Sequence, residues 1–278
     1  MKRYLISLLV ILGTLLWTPR ANAGSRNLLI CIPGSPGTSA TAQTYMAPFY
    51  RRIESLATWQ VGSLQGSYQP TYSGCLSKIN SWQPGFAVMS QGVYLEHRKA
   101  LRLNVIGSLQ MFAGAGKQLY LVVKKGSFKT VADLQGKRLT SNHLEETKFL
   151  NKVMFGGKID VTRHFLLKQV SQTTKGMRDV VRGRADATII NDDELRTMNG
   201  RSWRNTLQII HKSPRLPGAV LVAFGKWASR VDLAQMKKVA RTMCAGPGGR
   251  KLCRASGIQS AGAATQATYG RIIRLFGK

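Results

Sequence analysis

The sequence predicts an α/β fold in two units, the second inserted within the first. Three observations lead to it. Short apolar runs alternate with helix-period stretches along the chain, the pattern of largely parallel sheets covered by helices. A fresh strand-and-helix series begins at Gln118, and Ala219–Phe224 (AVLVAF) mirrors Leu119–Lys124 as a returning strand. The acids are unevenly shared: nine of the twelve fall within 118–216, leaving Glu54, Glu96 and Asp232 for the remainder. The expected organisation is a leader over 1–23, the first part of one lobe over 24–117, a second lobe over 118–216, and the completion of the first lobe over 217–278.

Taken in order, Asn27–Pro33 (NLLICIP) reads as the first strand and runs into a loop of small residues, Gly34-Ser35-Pro36-Gly37-Thr38-Ser39. A helix over Thr41–Ala57 follows, with Tyr45, Phe49, Ile53 and Leu56 on one face. Trp59–Gln65 is read as the second strand, and Ser73–Ser81 as a short helix with Leu76 and Ile79 turned inward. Phe86–Ser90 (FAVMS) is the third strand, ending at Ser90-Gln91-Gly92. Tyr94–Leu101 is helical and Leu103–Met111 returns as a strand. The register changes at Gly114-Ala115-Gly116. In the second unit, strands over Gln118–Lys124, Lys137–Thr140, Phe165–Val170 and Ala187–Asn191 alternate with helical stretches at Thr130–Leu134, Thr147–Phe155 and Thr173–Arg182. After the returning strand come helices over Val231–Cys244 and Ala264–Leu275.

The first residues set the compartment. Lys2 and Arg3 precede an apolar run from Tyr4 to Trp17, Pro19 breaks it, and Ala21-Asn22-Ala23 gives the small-x-small pattern of a cleaved export signal. The run is shorter than the roughly 20 residues a membrane span needs. No cysteine follows the cleavage position directly, so a free periplasmic protein is expected rather than a lipid-anchored one. Four cysteines in an oxidising compartment point to disulfides. Cys244 and Cys253 bracket a Gly-Pro-Gly-Gly turn and are the favoured pair, with Cys31 and Cys75 as the second. Neither the cysteines nor His97, His143, His164 and His211 have metal-site spacing, so no metal and no cofactor is expected.

The formal net charge of the chain is +29. Such a field concentrates anions near the surface without naming one. The exported address argues against nucleic acid and for anionic lipid headgroups, lipopolysaccharide phosphates or an acidic protein as large contacts.

Specific segments then carry a resemblance. Leu119–Ser127 (LYLVVKKGS) followed by Val131–Leu139 (VADLQGKRL) is similar to the opening of the second lobe in type 2 periplasmic solute-binding proteins of the phosphate/phosphite/phosphonate-binding group. Gly183-Arg184-Ala185-Asp186-Ala187 resembles that group's G-x-A-D-A element, and Ser213–Gly218 (SPRLPG) its s-P-x-i-P stretch before the return crossing. These matches run in order over nearly all of the exported chain. One departure is visible: where the group carries an S-T-S-G turn, this chain has Thr140-Ser141-Asn142-His143-Leu144. The resemblance implies a two-lobed periplasmic binding protein type 2 fold, each lobe a mixed, mainly parallel sheet flanked by helices, joined by crossing hinge strands. It also implies a monomeric substrate-binding component of an ABC importer, which takes a small oxyanion between its lobes and meets a permease in the inner membrane. No catalysis is expected. The alternative is a periplasmic binding module for a large partner, with a degenerate pocket.

In open α/β sheets ligands lie beyond the carboxyl ends of the strands, beside helix starts. That rule selects four loops. Ser35, Thr38 and Ser39 come from the first, and Ser90, Gln91 and Tyr94 from the second. Ser141, Asn142 and His143 come from the third, and Gln172 and Thr173 from the fourth. Hydroxyl and amide donors of this kind suit a desolvated oxyanion, although Ser, Thr and Asn equally cap helices. Asp192, at the only acidic triplet, is the candidate partner for a cationic group on the ligand; the rival reading is a helix start with its acids facing the dipole. No nucleophile elbow, phosphate-binding loop or dinucleotide fingerprint is present.

Overall fold

The computed structural model describes residues 25–111 and 118–278. The leader and the register change at Gly114–Gly116 lie outside the described residues. Strand β1 (Leu28–Cys31) is buried throughout, as a central parallel strand should be. It lies between β2 (Gly66–Gln69) and β3 (Phe86–Met89), both parallel to it. Helices α1 (Ser39–Ala57), α2 (Tyr72–Trp82) and α3 (Gln91–His97) follow these strands in turn, and β4 (Leu103–Met111) completes the run.

The second sheet contains β5 (Leu119–Lys124), β6 (Lys137–Ser141), β7 (Phe165–Gln169), β8 (Ala187–Asn191) and β9 (Leu207–Lys212). Between β6 and β7 lie α4 (Thr147–Phe149), which passes into a π turn (Leu150–Met154), and α5 (Val161–His164). Helix α6 (Thr173–Val181) precedes β8, and α7 (Asp192–Asn199) follows it. The chain then returns to the first sheet as β10 (Ala219–Phe224), which inserts antiparallel between β3 and β4. Helices α8 (Arg230–Thr242) and α9 (Gly246–Ala255), strand β11 (Ile258–Gly262) and helix α10 (Gly270–Gly277) finish the chain.

The strand orders are β11-β4-β10-β3-β1-β2 and β7-β6-β8-β5-β9. These are two mixed sheets flanked by helices, as the sequence implies, but they are not mainly parallel: the returning strand β10 and the strand β5 each pair antiparallel on both sides, and β11 pairs antiparallel with β4. One apolar cluster runs through both, from Leu29, Met89 and Val220 of the first sheet to Leu121, Leu139 and Ile189 of the second. Outer clusters back each sheet, around Phe49 and Val239 on one side and around Met177 and Ile190 on the other. Both expected disulfides are present. Cys31–Cys75 ties the end of β1 to α2, and Cys244–Cys253 closes the start of α9.

Several local expectations are corrected. The second strand is Gly66–Gln69, not Trp59–Gln65. Gly62 takes φ +85° in a turn, and the Glu54 carboxylate accepts from Leu64 N at 2.8 Å, so Trp59 and Leu64 are buried by a turn. In α1 the buried stripe is Met46, Phe49, Tyr50, Ile53 and Ala57, which leaves Tyr45 70% exposed. Gly246–Ala255 forms a helix where a turn was expected; Pro247 sits in its first turn, where a missing N–H costs nothing.

Candidate functional site

The loops after β1, β2 and β3 of the first sheet and after β6 and β7 of the second line shared pockets, so they face one another across a gap. Two acids of the second lobe bridge that gap. After β6 the chain makes a single 3-10 turn, Leu144–Glu146, which carries two adjacent carboxylates across to the first lobe. Glu146 Oε1 accepts from the Ser90 hydroxyl and, at 2.9 Å, from Val93 N–H. Glu145 Oε2 accepts from Tyr72 N–H, the first residue of α2. A third bridge runs from the Asn142 amide to the Gly34 carbonyl at 3.1 Å, and an exposed ion pair joins Lys148 to Glu96 at 3.2 Å.

Two glycines of the first lobe permit this approach. A β-carbon on Gly92 would lie 2.4 Å from Glu146 Oε1, and one on Gly34 would lie 2.0 Å from the Asn142 carbonyl oxygen. Gly34 also holds φ +78°, a conformation other residues adopt only with strain.

Behind the bridge the second lobe is organised around a buried acid. Glu194 accepts from the Asn142 amide at 3.0 Å, from Asn191 N–H at 2.8 Å, and pairs with His143 Nε2 at 2.8 Å. Asn191 caps α7 through Asp193 N–H and Glu194 N–H, and Glu194 answers by accepting from the Asn191 backbone, a reciprocal capping box. Burial pulls the His143 imidazole down, but the Glu194 carboxylate, with Glu146 behind it, overcomes this and leaves its pKa raised. Burial pushes Glu146 up to about 7, against the opposing hydrogen bonds from Ser90 and Val93 and the nearby His143.

The gap is divided. An inner cavity of about 30 Å³ is bounded by Ser90, Gln91, His143 and Glu146 on its polar side and by Ile32, Phe149 and Leu216 on its apolar side. It has room for one or two waters. An outer cleft of about 180 Å³ lies between Gly34–Gly37 and Pro70–Thr71 of the first lobe and Glu145 and Gln169–Ser171 of the second.

The residues selected from the sequence fall into distinct groups. Ser90, Gln91 and His143 meet at the inner cavity, and Gln91 also donates to the Gly218 carbonyl at 3.1 Å. Ser35 lines the outer cleft, where its Oγ is buried. Asn142 reaches across the gap as described. Thr38 caps α1 in a capping box with Thr41, and the Ser39 hydroxyl donates to the Tyr68 carbonyl at 2.6 Å. The Ser141 hydroxyl donates to the Ile189 carbonyl at 2.7 Å, pinning β6 to β8. Tyr94 is fully buried against Tyr269, their rings 5.6 Å apart. Gln172 is exposed and accepts from Arg178 at 3.2 Å; Thr173 opens α6. Asp192 accepts from Gln118 N–H at 2.7 Å and from the Tyr120 hydroxyl at 2.9 Å, which engages both its oxygens at the start of β5. Among the described residues, no group of three or more His, Cys, Asp or Glu could hold a metal ion.

Sequence reasoning missed Glu145 and Glu146 as parts of the gap, and from the acidic triplet it selected Asp192 rather than Glu194, which supports the gap from behind. The available signal was an adjacent Glu-Glu pair directly after a selected loop, in a chain with 41 basic and only 12 acidic residues.

Comparison with known proteins gives a consistent picture. A family model described as "ABC transporter, phosphonate, periplasmic substrate-binding protein" matches residues 41–269. None of the curated proteins compared with the chain matches it. Among solved structures, a binding protein component of an ABC phosphonate transporter from Pseudomonas aeruginosa is similar at 15% identity and TM-score 0.65, over 90% of this chain and 84% of that one. PhnD1 from Prochlorococcus marinus, in complex with methylphosphonate, is similar at 13% identity and TM-score 0.63, over 90% and 97%. A Xanthomonas citri protein bound to ATP is similar at 11% identity and TM-score 0.70, over 91% and 96%. At these identities the likeness is one of fold.

Proposed function

The chain belongs to the periplasmic substrate-binding family of phosphonate ABC transporters, and on that premise we propose that it closes two lobes over a small oxyanion of the phosphate, phosphite or phosphonate kind. Members of this family are solute-binding components rather than enzymes, and they serve an importer with a membrane permease. The proposed lobes are 24–117 with 217–278, and 118–216. The ligand seat is the inner end of the gap, at Ser90, Gln91 and His143, with Ser35 and Asn142 toward the outer cleft.

One observation carries this reading. The Ser90 hydroxyl and Val93 N–H converge on a single carboxyl oxygen of Glu146, so this position offers two donors to one oxygen in a largely desolvated site. Charged acceptors strengthen such hydrogen bonds about twofold over neutral ones. Ligand contacts to both lobes would favour the shut state over the open one, which is what a hinged binding protein requires.

Calorimetry against methylphosphonate, phosphite and phosphate tests the proposal. Binding is expected for at least one of them, with a rise in Tm on saturation and a loss of affinity on Ser90→Ala. Absence of heat and of any Tm shift across the panel would sink it.

A second reading rests on the surface. Residues 217–278 carry eleven Lys and Arg against one acid, Asp232, and that acid pairs with Arg26 at 3.0 Å. This segment is therefore almost entirely positive in its charges, which suits contact with an anionic envelope surface. Retention on anionic vesicles that disappears with modest salt is the signature of that role. Small-anion affinity that persists in salt is the signature of the cleft.

A further inference from the structure

Two consecutive carboxylates of one lobe occupy donors of the other. Glu146 takes Ser90 Oγ–H and Val93 N–H, and Glu145 takes Tyr72 N–H. The backbone donors lie 53 and 73 residues away in sequence, so the contacts exist only while the lobes are together. The positions vacated by side chains on the first lobe fit the visitor: a methyl group at Gly92 would collide with the Glu146 carboxylate. The cavity left beside Glu146, about 30 Å³, admits water and excludes a phosphonate. The shut arrangement and an occupied ligand seat at Ser90 are therefore mutually exclusive unless Glu146 moves.

Resting on the oxyanion reading above, we infer that the Glu145–Glu146 pair is a tethered stand-in for the ligand, which holds the lobes shut when the cleft is empty and must be displaced for an anion to bind. A hinged protein shuts only when something contacts both lobes more favourably in the shut state. Here the chain supplies those contacts itself. A tethered group competes at an effective concentration on the order of millimolar or above, so the pair raises the ligand concentration at which the seat fills. The protein then responds to abundant anion and ignores traces of it.

The test uses full-length exported protein dialysed free of small anions. Small-angle scattering is expected to give a compact wild type and a more extended Glu145→Ala/Glu146→Ala variant. Gly92→Ala is the independent probe, because it evicts the Glu146 carboxylate without removing it and leaves the helix otherwise intact; it too is expected to be extended. Methylphosphonate is expected to re-compact the double variant with an affinity at least tenfold tighter than for the wild type. Variants as compact as the wild type, or a wild type that is already extended, would overturn the inference. So would equal affinity of variant and wild type for methylphosphonate. Variants that open but bind no anion uphold the clasp and remove the oxyanion reading, so the two failures are distinct.

Discussion

The two walls of the gap differ in chemistry and in what braces them. The first wall presents donors: the Ser90 hydroxyl and the N–H groups of Tyr72 and Val93. It is braced covalently, since Cys31–Cys75 joins the end of β1 to α2 just behind the gap. The second wall answers with two acceptors, Glu145 and Glu146, and with one donor, the Asn142 amide that meets the Gly34 carbonyl. It is braced by a buried carboxylate, Glu194, that gathers Asn142, His143 and Asn191. The nine acids of 118–216 are thus partly spent on the gap and on its support. The donors of the first wall are met by the carboxyl groups of the facing one.

The largest expected effect comes from breaking the second wall from within. Glu194→Ala leaves the Asn142 amide, His143 and the Asn191 N–H without their acceptor, and a loss of about 3–5 kcal/mol is expected in chemical denaturation. Opening the first wall is next. Cys31→Ala with Cys75→Ala removes a link spanning 44 residues, worth about 3–4 kcal/mol by loop entropy, and Tm should fall while the Glu194 cluster stays folded by amide exchange. A Glu194 variant without effect would mean that the second wall is held by packing alone.

A smaller effect sharpens the contrast through pH. Burial pushes Glu146 up to about 7 in the folded state from its ordinary 4.5, so the folded state binds more protons between these values. Its contribution is therefore fully present below pH 4.5 and is lost as pH rises through about 7. His143, also raised by its carboxylate partners, acts in the same sense above its ordinary 6.5. The groups facing Glu146 are His143 and Glu145 from its own loop and the uncharged Ser90 and Val93 N–H from α3. Urea denaturation should show wild type losing about 2–3 kcal/mol from this site between pH 5 and 8, with a flatter profile in Glu146→Gln. The smallest effect is expected at the rim. Lys148→Ala removes an exposed pair with Glu96 and should cost under about 1 kcal/mol.

Much of the fold could be read from the sequence because its central strands are buried along their whole length and carry mostly apolar residues. Phe86–Met89, Ala187–Asn191 and Ala219–Phe224 are buried at every position, and their runs stand out without knowledge of their neighbours. The edge strands β9 (LQIIHK) and β11 (IQSAG) lack that signal, since one side of an edge strand meets solvent and only its partner identifies it. Trp59 and Leu64 misled because a turn buries them as well as a strand would. Within the gap, the hydroxyl and amide loops were legible because strand ends and helix starts are local features. Glu145 and Glu146 were not, because a carboxylate gains meaning there from donors more than fifty residues distant. Asp192 looked like a ligand contact for the converse reason: its true partners, Gln118 and Tyr120, sit 74 and 72 residues earlier.

Both covalent cross-links close within a single half of the molecule, Cys31 to Cys75 and Cys244 to Cys253, with sulfurs contributed only by segments of the first sheet and its helices. Oxidation therefore stiffens the half built on the first sheet and adds no covalent link between the two sheets. Thiol chemistry thus sets how firmly that anvil is built and adds nothing to its hold on the other half.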